Sequence, residues 1–186
     1  MEISAELTTP LSRFYRAVAR EQPRLDQVSA VDVPQPAREL LVHADDMTPT
    51  LQGFFGDTIH LRTLNRQQES EIYAREVVLC LDRDDQAVEY GAIEIHYALF
   101  PRAAWADIQG ERLPLGTILN EHCVAHRCRP GPYFQLQAGD FLQEVLRLES
   151  PDILYGRRNQ LLRADGALLA DVLEVLPPLS EQDRGA

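Results

Sequence analysis

The spacing of apolar residues along the chain changes from helical to alternating near Thr58. Before that point, apolar residues recur every three or four positions after Thr9-Pro10, a pair typical of a helix start. The pattern predicts a helix from about Pro10 to Glu21, a proline-rich connector over residues 23–36, and a second short helix, Ala37–His43.

A third helix and three strands are predicted in the centre of the chain. Asp46-Met47-Thr48-Pro49 repeats the sequence of a cap followed by a proline, and Gly56 can end the helix in the left-handed conformation. The alternating segments that follow are Thr58–Leu64, Ile72–Leu81 and Ala87–Leu99. With Asn65–Ser70 as a polar turn, they predict an antiparallel meander.

The second half of the chain completes an α+β pattern. Its predicted elements are the helices Pro101–Gln109 and Leu115–His122, a loop Cys128–Pro132, a strand Tyr133–Gln137, a helix Asp140–Leu148 and a hairpin over residues 154–176. Asp165-Gly166 between two apolar runs is a strong signal for the hairpin turn. Because strands dominate the middle and the end, we predict an α+β fold with a largely antiparallel sheet.

The last predicted strand carries a carboxylate on an apolar face. Alternation places Glu174 on the same face as Leu168, Ala170, Val172 and Leu176. Burying an unpaired charge is costly, so Glu174 would meet a cation, be held protonated or face a polar pocket. The alternative is an edge strand with Glu174 in solvent.

Arg75 raises the same question in the middle of the apolar strand Ile72–Leu81. A guanidinium group does not deprotonate in proteins, so Arg75 needs a partner, for which Glu174 is the candidate. The structural alternative is a buried Arg–Glu pair without a ligand. The functional alternative is that Arg75 holds a substrate carboxylate in a bidentate hydrogen-bonded pair.

Composition and charge narrow the classes of function. The 186 residues are 45% hydrophobic, which fits one globular domain. The net charge of -11 argues against a broad nucleic-acid or membrane surface, although a few arginines can still bind a small anion. No apolar run approaches the roughly 20 residues of a membrane span, and the N-terminus has no signal-peptide core, so we expect a cytoplasmic protein. The oligomeric state is not indicated.

The segment Glu121–Cys128 contains two histidines and two of the three cysteines. An odd number of cysteines indicates free thiols rather than a disulfide framework. His122, Cys123, His126 and Cys128 have no second ligand cluster elsewhere that would complete a tetrahedral site, so no metal is predicted. Nucleotide-binding loops and the G-x-S-x-G nucleophile motif are absent, and no cofactor is predicted.

Five short motifs occur in order over about residues 40–178. They are DDMT (Asp45–Thr48), REVVLC (Arg75–Cys80), LPLG (Leu113–Gly116), YGRR (Tyr155–Arg158) and LEVLPP (Leu173–Pro178). Together they resemble the chorismate lyase superfamily, whose enzymes release pyruvate from chorismate to make 4-hydroxybenzoate.

The resemblance implies a single antiparallel sheet of about six strands with helices on one side, and a ligand cavity under two helical flaps. Arg75 matches the arginine that holds the ligand carboxylate, and Glu174 matches the glutamate near the ring hydroxyl. Leu115 matches a position whose backbone meets the hydroxyl end, and Met47 and Thr48 match the residues that cover the ligand.

The third strand departs from the family pattern. Ala92 follows Gly91 where the family has a second substrate-binding arginine, and Glu94 and His96 share a face with Ala92 by alternation. If that face lines the cavity, Ala92 and Glu94 make it less cationic than in the lyases. Chorismate is a dianion, so we expect slow release of pyruvate or none.

The sequence therefore predicts a lyase-like protein without a cofactor that encloses and converts a small cyclic or aromatic carboxylate, with Arg75 and Glu174 as catalytic residues. A non-catalytic carboxylate-binding module, similar to the effector domains of bacterial transcription regulators but without contact to DNA, is the alternative. A related enzyme of secondary metabolism is the third. The predicted division is an N-terminal helix and connector (1–36), a chorismate-lyase-like domain (37–178) and a disordered tail (179–186).

Overall fold

The computed structural model describes residues 8–185, which form one antiparallel sheet with helices on both of its faces. The α-helices are α1 (Leu11–Ala17), α2 (Ala37–Leu41), α3 (Met47–Phe55), α4 (Arg102–Gly110), α5 (Leu115–Glu121) and α6 (Asp140–Leu146). The strands are β1 (Asp26–Val28), β2 (Ile59–Glu69), β3 (Ile72–Leu81), β4 (Ala87–His96), β5 (Arg127–Gln137), β6 (Ile153–Leu162) and β7 (Leu168–Leu176). Short 3₁₀ turns lie at Ala30–Asp32, Tyr97–Leu99 and Glu181–Asp183.

The sheet joins two meanders through its last strand. Its strand order is β1-β5-β6-β7-β4-β3-β2, and every pairing is antiparallel. β7 pairs with β4 on one side and with β6 on the other. The final hairpin therefore contributes the centre of the sheet, and Glu174 does not lie on an edge strand.

The two faces of the sheet are covered by different helices. Helices α1 and α6 pack on the back face, which carries Ala74, Val78 and Ala92. Helices α2 to α5 pack on the front face, which carries Val77, Leu79 and Ile93 and encloses a cavity. Helices on one side only were expected, but both faces of the central strands are apolar and each needs a cover.

Several strands extend beyond the predicted ones. β2 runs on to Glu69, through most of the predicted polar turn, because an edge strand tolerates polar side chains. The predicted loop Cys128–Pro132 belongs to β5, whose register shifts between Pro130 and Tyr133, where an irregular ladder accommodates prolines. The three residues of β1 lie within the predicted connector.

Both ends of the described chain pack on the domain. Phe14 and Tyr15 of α1 share a hydrophobic cluster with Tyr90 of β4. In the tail, the Gly185 N–H donates to the Phe54 carbonyl at 2.9 Å, and Arg184 pairs with Glu39 at 2.6 Å. Residues 179–185 thus differ from the disordered tail that we expected, because their apolar and charged groups find partners on α2 and α3.

Two further expectations concern the membrane and the N-terminus. Within residues 8–185, no helix has both the length and the apolar character that a membrane crossing requires. Residues 1–7, on which the cytoplasmic expectation partly rests, lie outside the described residues.

Candidate ligand-binding cavity

A cavity lies between the front face of the sheet and the first turns of α3 and α5. Its walls are Asp46, Met47, Thr48, Leu61, Arg75, Val77, Leu79, Glu89, Gly91, Ile93, Pro114, Leu115, Gly116, Leu119, Asn159, Leu161, Val172 and Glu174. The cavity has a volume of about 570 Å³ when its open mouth is included. The part that the centre of a water molecule can reach is about 60 Å³. One water needs about 10–15 Å³ on that scale, so the cavity suits a few waters or one small organic molecule.

Two helix starts form the lid of the cavity. Met47 and Thr48 open α3, and Leu115 and Gly116 open α5. A Cβ atom added at Gly116 would lie 2.9 Å from the Thr48 hydroxyl oxygen, closer than real side chains approach. Gly116 therefore permits the close approach of α3 and α5, which places Met47, Thr48 and Leu115 on the cavity.

Arg75 of β3 is a buried cation in the cavity wall. Its side chain is almost fully enclosed, with the residue 1% exposed. Nη2 donates to the Leu113 carbonyl at 3.4 Å, whereas Nε and Nη1 have no partner among residues 8–185. Burial lowers the pKa of Arg75 to about 10, against smaller opposing contributions from Tyr73 and Glu111, so the group stays protonated at neutral pH.

Glu174 of β7 pairs with Arg157, not with Arg75 as predicted. Arg157 stands directly opposite Glu174 on β6, and its Nε donates to Glu174 Oε2. Its Nη1 donates to the carbonyls of Leu41 at 2.9 Å and His43 at 3.0 Å. Burial acts to lower the pKa of Arg157, but the carboxylate of Glu174 outweighs it and raises the pKa. Arg75 is therefore left without its predicted partner.

Glu89 of β4 is a second buried carboxyl group on the front face. Its Oε2 atom has no hydrogen-bond partner in the described part of the chain. Burial first, and then the charge of Glu174, raise the pKa of Glu89 well above the ordinary range. The neutral acid can donate a hydrogen bond into the cavity. Asn159 of β6 adds to the same wall a buried Oδ1 atom that no described residue contacts with a hydrogen bond.

Ala92 and Glu94 do not line the cavity, so that expectation is wrong. Alternation along β4 points Glu89, Gly91 and Ile93 to the front face, which places Ala92 and Glu94 on the back. The carboxylate of Glu94 accepts from Arg13 Nε at 2.6 Å. The alternation was evident in the sequence, but the face that meets the cavity was not.

The segment around Cys128 separates into two parts. His122 pairs with Asp107 at 2.6 Å, and Cys123 is exposed. By contrast, the Asp46 Oδ1 atom lies 2.8 Å from His126 Nε2 and 3.3 Å from Cys128 Sγ. Since Asp46 also lines the cavity, this second group adjoins the cavity wall.

Sequence reasoning missed four residues of this site: Arg157, Glu89, Asn159 and Asp46. Glu89 carried the same signal as Glu174, a carboxyl group in an apolar strand. Arg157 belongs to the YGRR motif, but nothing in the pattern distinguished it from Arg158. Asp46 could not be found, since its partners lie 80 and 82 residues away in the sequence.

Comparison with known proteins shows the fold. No family model matches the chain, and a search of curated proteins finds no match. Among solved structures, the effector domain of PhnF from Mycobacterium smegmatis is similar at 9% identity and a TM-score of 0.56, covering 71% of this chain and 88% of that one. The structure of PhnF itself matches at 10% identity and a TM-score of 0.54, covering 89% and 92%. The ligand-binding domain of a putative GntR-family transcriptional regulator from Bordetella bronchiseptica matches at 11% and 0.50, covering 64% and 85%.

These likenesses confirm the predicted fold class. The chain has the α+β, chorismate-lyase-like fold that GntR-family effector domains also have, with one antiparallel sheet of seven strands rather than about six. At identities of 9 to 11%, the comparisons show the fold alone.

Proposed function

We propose that this protein is a non-catalytic binding module for a small molecule with a single carboxylate. The observation that carries the proposal is Arg75, a buried and protonated guanidinium in the cavity wall with two nitrogen atoms that have no partner among the described residues. Isolated buried charge is strongly unfavourable, and a carboxylate matches the forked geometry of a guanidinium. A ligand carboxylate beside Arg75 would supply the missing partner.

The polar residues around Glu174 indicate which group the ligand can carry at the end opposite its carboxylate. Glu174 is already paired with Arg157, and the neutral acid of Glu89 and the amide of Asn159 offer one donor and several acceptors. A second anionic group there would face the carboxylate of Glu174. This end therefore favours an uncharged group such as a hydroxyl, and the remaining walls are mostly apolar.

The structural neighbours support binding over turnover. Two solved structures of similar fold are described as the effector domain of PhnF and the ligand-binding domain of a putative GntR-family transcriptional regulator. By analogy, this chain would recognise a small molecule without catalysing a reaction of it.

The test is calorimetric titration with paired ligands of similar shape, one a charged carboxylate and the other its neutral amide. Benzoate and benzamide form one pair, and 4-hydroxybenzoate and 4-hydroxybenzamide the other. A hydrogen bond to a charged group contributes roughly 1.5–3 kcal/mol, so each acid should bind about ten- to a hundredfold more tightly than its amide. Arg75→Met should remove this preference.

The matched control is Arg66→Met, which removes the same charge outside the cavity. Arg66 is the Cα partner of Arg75 on β2, and its side chain is 67% exposed. It should leave the acid-to-amide ratio unchanged. Equal affinity for acid and amide in the wild type, undiminished acid binding in Arg75→Met, or no binding of either acid at millimolar concentration would overturn the proposal.

One observation favours a lyase-like enzyme as a second candidate. Glu89 and Glu174 are neighbouring carboxyl groups with different environments, the arrangement that lets one act as an acid and the other as a base. A coupled pyruvate assay with chorismate separates the two candidates. The binding proposal expects no release above the uncatalysed rate, since the wall offers Arg75 alone as an unpaired cation among the described residues and chorismate has two carboxylates.

A further inference from the structure

We propose that Asp46, His126 and Cys128 form a binding site for a divalent metal ion of the zinc class. This site goes beyond the proposed function, because no step of carboxylate binding requires it. One oxygen, one nitrogen and one sulfur atom from these residues lie within 4.8 Å of one another. Asp46 comes from the residue before α3, whereas His126 and Cys128 flank the start of β5.

The three donor atoms fit zinc in kind and in spacing. Carboxylate oxygen, imidazole nitrogen and thiolate sulfur are the protein ligands of zinc, at about 2.0–2.3 Å in tetrahedral geometry. Those lengths require separations of about 3.3–3.8 Å between donor atoms. Oδ1 of Asp46 is 2.8 Å from His126 Nε2 and 3.3 Å from Cys128 Sγ, and the third pair of donor atoms lies within 4.8 Å, so all three separations are near the required range.

The histidine is oriented by a partner of its own. His126 Nδ1 lies 2.8 Å from the carbonyl oxygen of Val124, which can only accept a hydrogen bond. The Nδ1 atom therefore carries a proton, and Nε2 is the atom that faces Asp46. A backbone carbonyl on the far nitrogen is the usual support of a metal-binding histidine.

The charges also balance. The Asp46 carboxylate and the Cys128 thiolate together neutralise a divalent cation, and the imidazole binds as the neutral ring. Binding displaces the proton from the thiol and the one between His126 and Asp46, which pass to solvent. Three protein ligands leave a fourth position for water. Because Asp46 stands directly before α3, the ion would tie the lid of the cavity to β5.

A second grouping of the same residue types does not share these properties. His60, Cys80 and Asp85 also lie close together. There, Asp85 already pairs with Arg147 and lies 3.8 Å from Arg62, and Cys80 is buried in the core of the back face. Two guanidinium groups oppose a cation at that carboxylate. Among the described residues, the Asp46 carboxylate has no hydrogen bond to an arginine, and its guanidinium neighbour, Arg157, is already paired with Glu174.

The first test is titration of the reduced full-length protein with Co²⁺, followed by displacement with Zn²⁺. We expect one ion per chain and a thiolate-to-cobalt charge-transfer band in the near ultraviolet, which Zn²⁺ removes. Cys128→Ser should abolish the band, and His126→Gln should weaken Co²⁺ binding at least about tenfold. Circular dichroism confirms that each variant is folded.

The neighbouring pair of the same residue types supplies matched controls. Cys123→Ser and His122→Gln are the same substitutions at the cysteine five residues before Cys128 and the histidine four residues before His126. Both variants should keep the charge-transfer band and the Co²⁺ affinity of the wild type. Absence of the band in the wild type, its persistence in Cys128→Ser, or its loss in Cys123→Ser would each overturn the proposal. A folded His126→Gln variant with wild-type affinity would do so as well.

Discussion

Two consecutive residues of β3 show how differently the two faces of the sheet treat buried charge. Glu76 points to the back face and is 0% exposed, and Arg75 points to the front and is 1% exposed. Glu76 accepts hydrogen bonds from Tyr90 at 2.6 Å, Asn65 at 2.7 Å and Arg20 at 2.8 Å. Arg75 makes one long contact, with the carbonyl of Leu113. Burial is the same, but hydrogen-bond satisfaction is not.

The contrast extends across the sheet. On the back face, Glu94 pairs with Arg13, and Asp171 accepts from Arg158 at 2.7 Å. Within residues 8–185, buried side-chain polar atoms without a partner occur on Thr63, Arg75, Glu89, Arg157 and Asn159. The strand register places all five on the front face, because their partners across the sheet are front-face residues such as Val77, Leu79 and Ile93. Since folded proteins satisfy most buried polar groups, the front face is where a ligand is expected to complete the hydrogen bonding.

Glu76→Met on the back face should have the largest effect on stability. The substitution leaves the cation of Arg20 and the buried hydroxyl of Tyr90 without their acceptor. Removing one partner of a buried charge network costs about 3–5 kcal/mol. Urea denaturation should show that loss in the free energy of unfolding. Exposed Glu71→Met, in the turn directly before the same strand, is the control and should change the free energy of unfolding by about 0.5 kcal/mol or less.

Arg75→Met in the ligand-free protein should act in the opposite direction. The new side chain fills similar space in an apolar wall and removes a desolvated charge that has one weak partner. We expect the free energy of unfolding to stay unchanged or to rise by about 1–2 kcal/mol, as when buried charges are replaced by apolar groups of similar volume. A loss above about 2 kcal/mol in the same denaturation experiment would mean that Arg75 is structural and that the two faces do not differ in this respect.

Much of this architecture follows from local rules. The change to a period of two located the central strands, and a charge within an apolar strand was enough to single out Arg75 and Glu174. What failed were the pairings between distant segments. A strand has two faces that differ by one residue, so the choice of Arg157 over Arg158 and of Glu89 over Glu94 depends on register and on which helices cover each face. Neither choice can be deduced from the spacing of one strand.

Two segments that were predicted as a loop and a turn belong to strands β5 and β2. Prolines within residues 128–132 predicted a break, yet β5 keeps its pairing with β6: Pro130 stands opposite Asn159, and the register shifts between Pro130 and Tyr133. The polar run at the end of β2 predicted a turn because an exposed edge strand has the composition of a loop. Arg75 and Glu174 could therefore be singled out as buried charges from their own strands, whereas the contact of Asp46 with His126 required the folded chain.

The pH dependence of the unfolding free energy, compared between the wild type and Glu89→Gln, tests whether Glu89 is neutral in the folded protein. Burial and the charge of Glu174 raise the pKa of Glu89, so the folded protein keeps this proton above the ordinary value of 4.5, where the unfolded chain releases it. The stabilising contribution of the neutral acid is complete below that value and is lost as the pH rises towards the folded pKa. Its loss is at most about 1.4 kcal/mol per pH unit.

The glutamine variant stays neutral throughout, so its unfolding free energy should fall less than that of the wild type between about pH 5 and about pH 7. Groups far from Glu89 are common to both proteins and cancel in the difference. Exposed Glu149→Gln serves as the control and should follow the wild type. Parallel curves for wild type and Glu89→Gln would show that Glu89 is ionised in the folded protein, and the front face would then hold two carboxylates against the cations of Arg75 and Arg157.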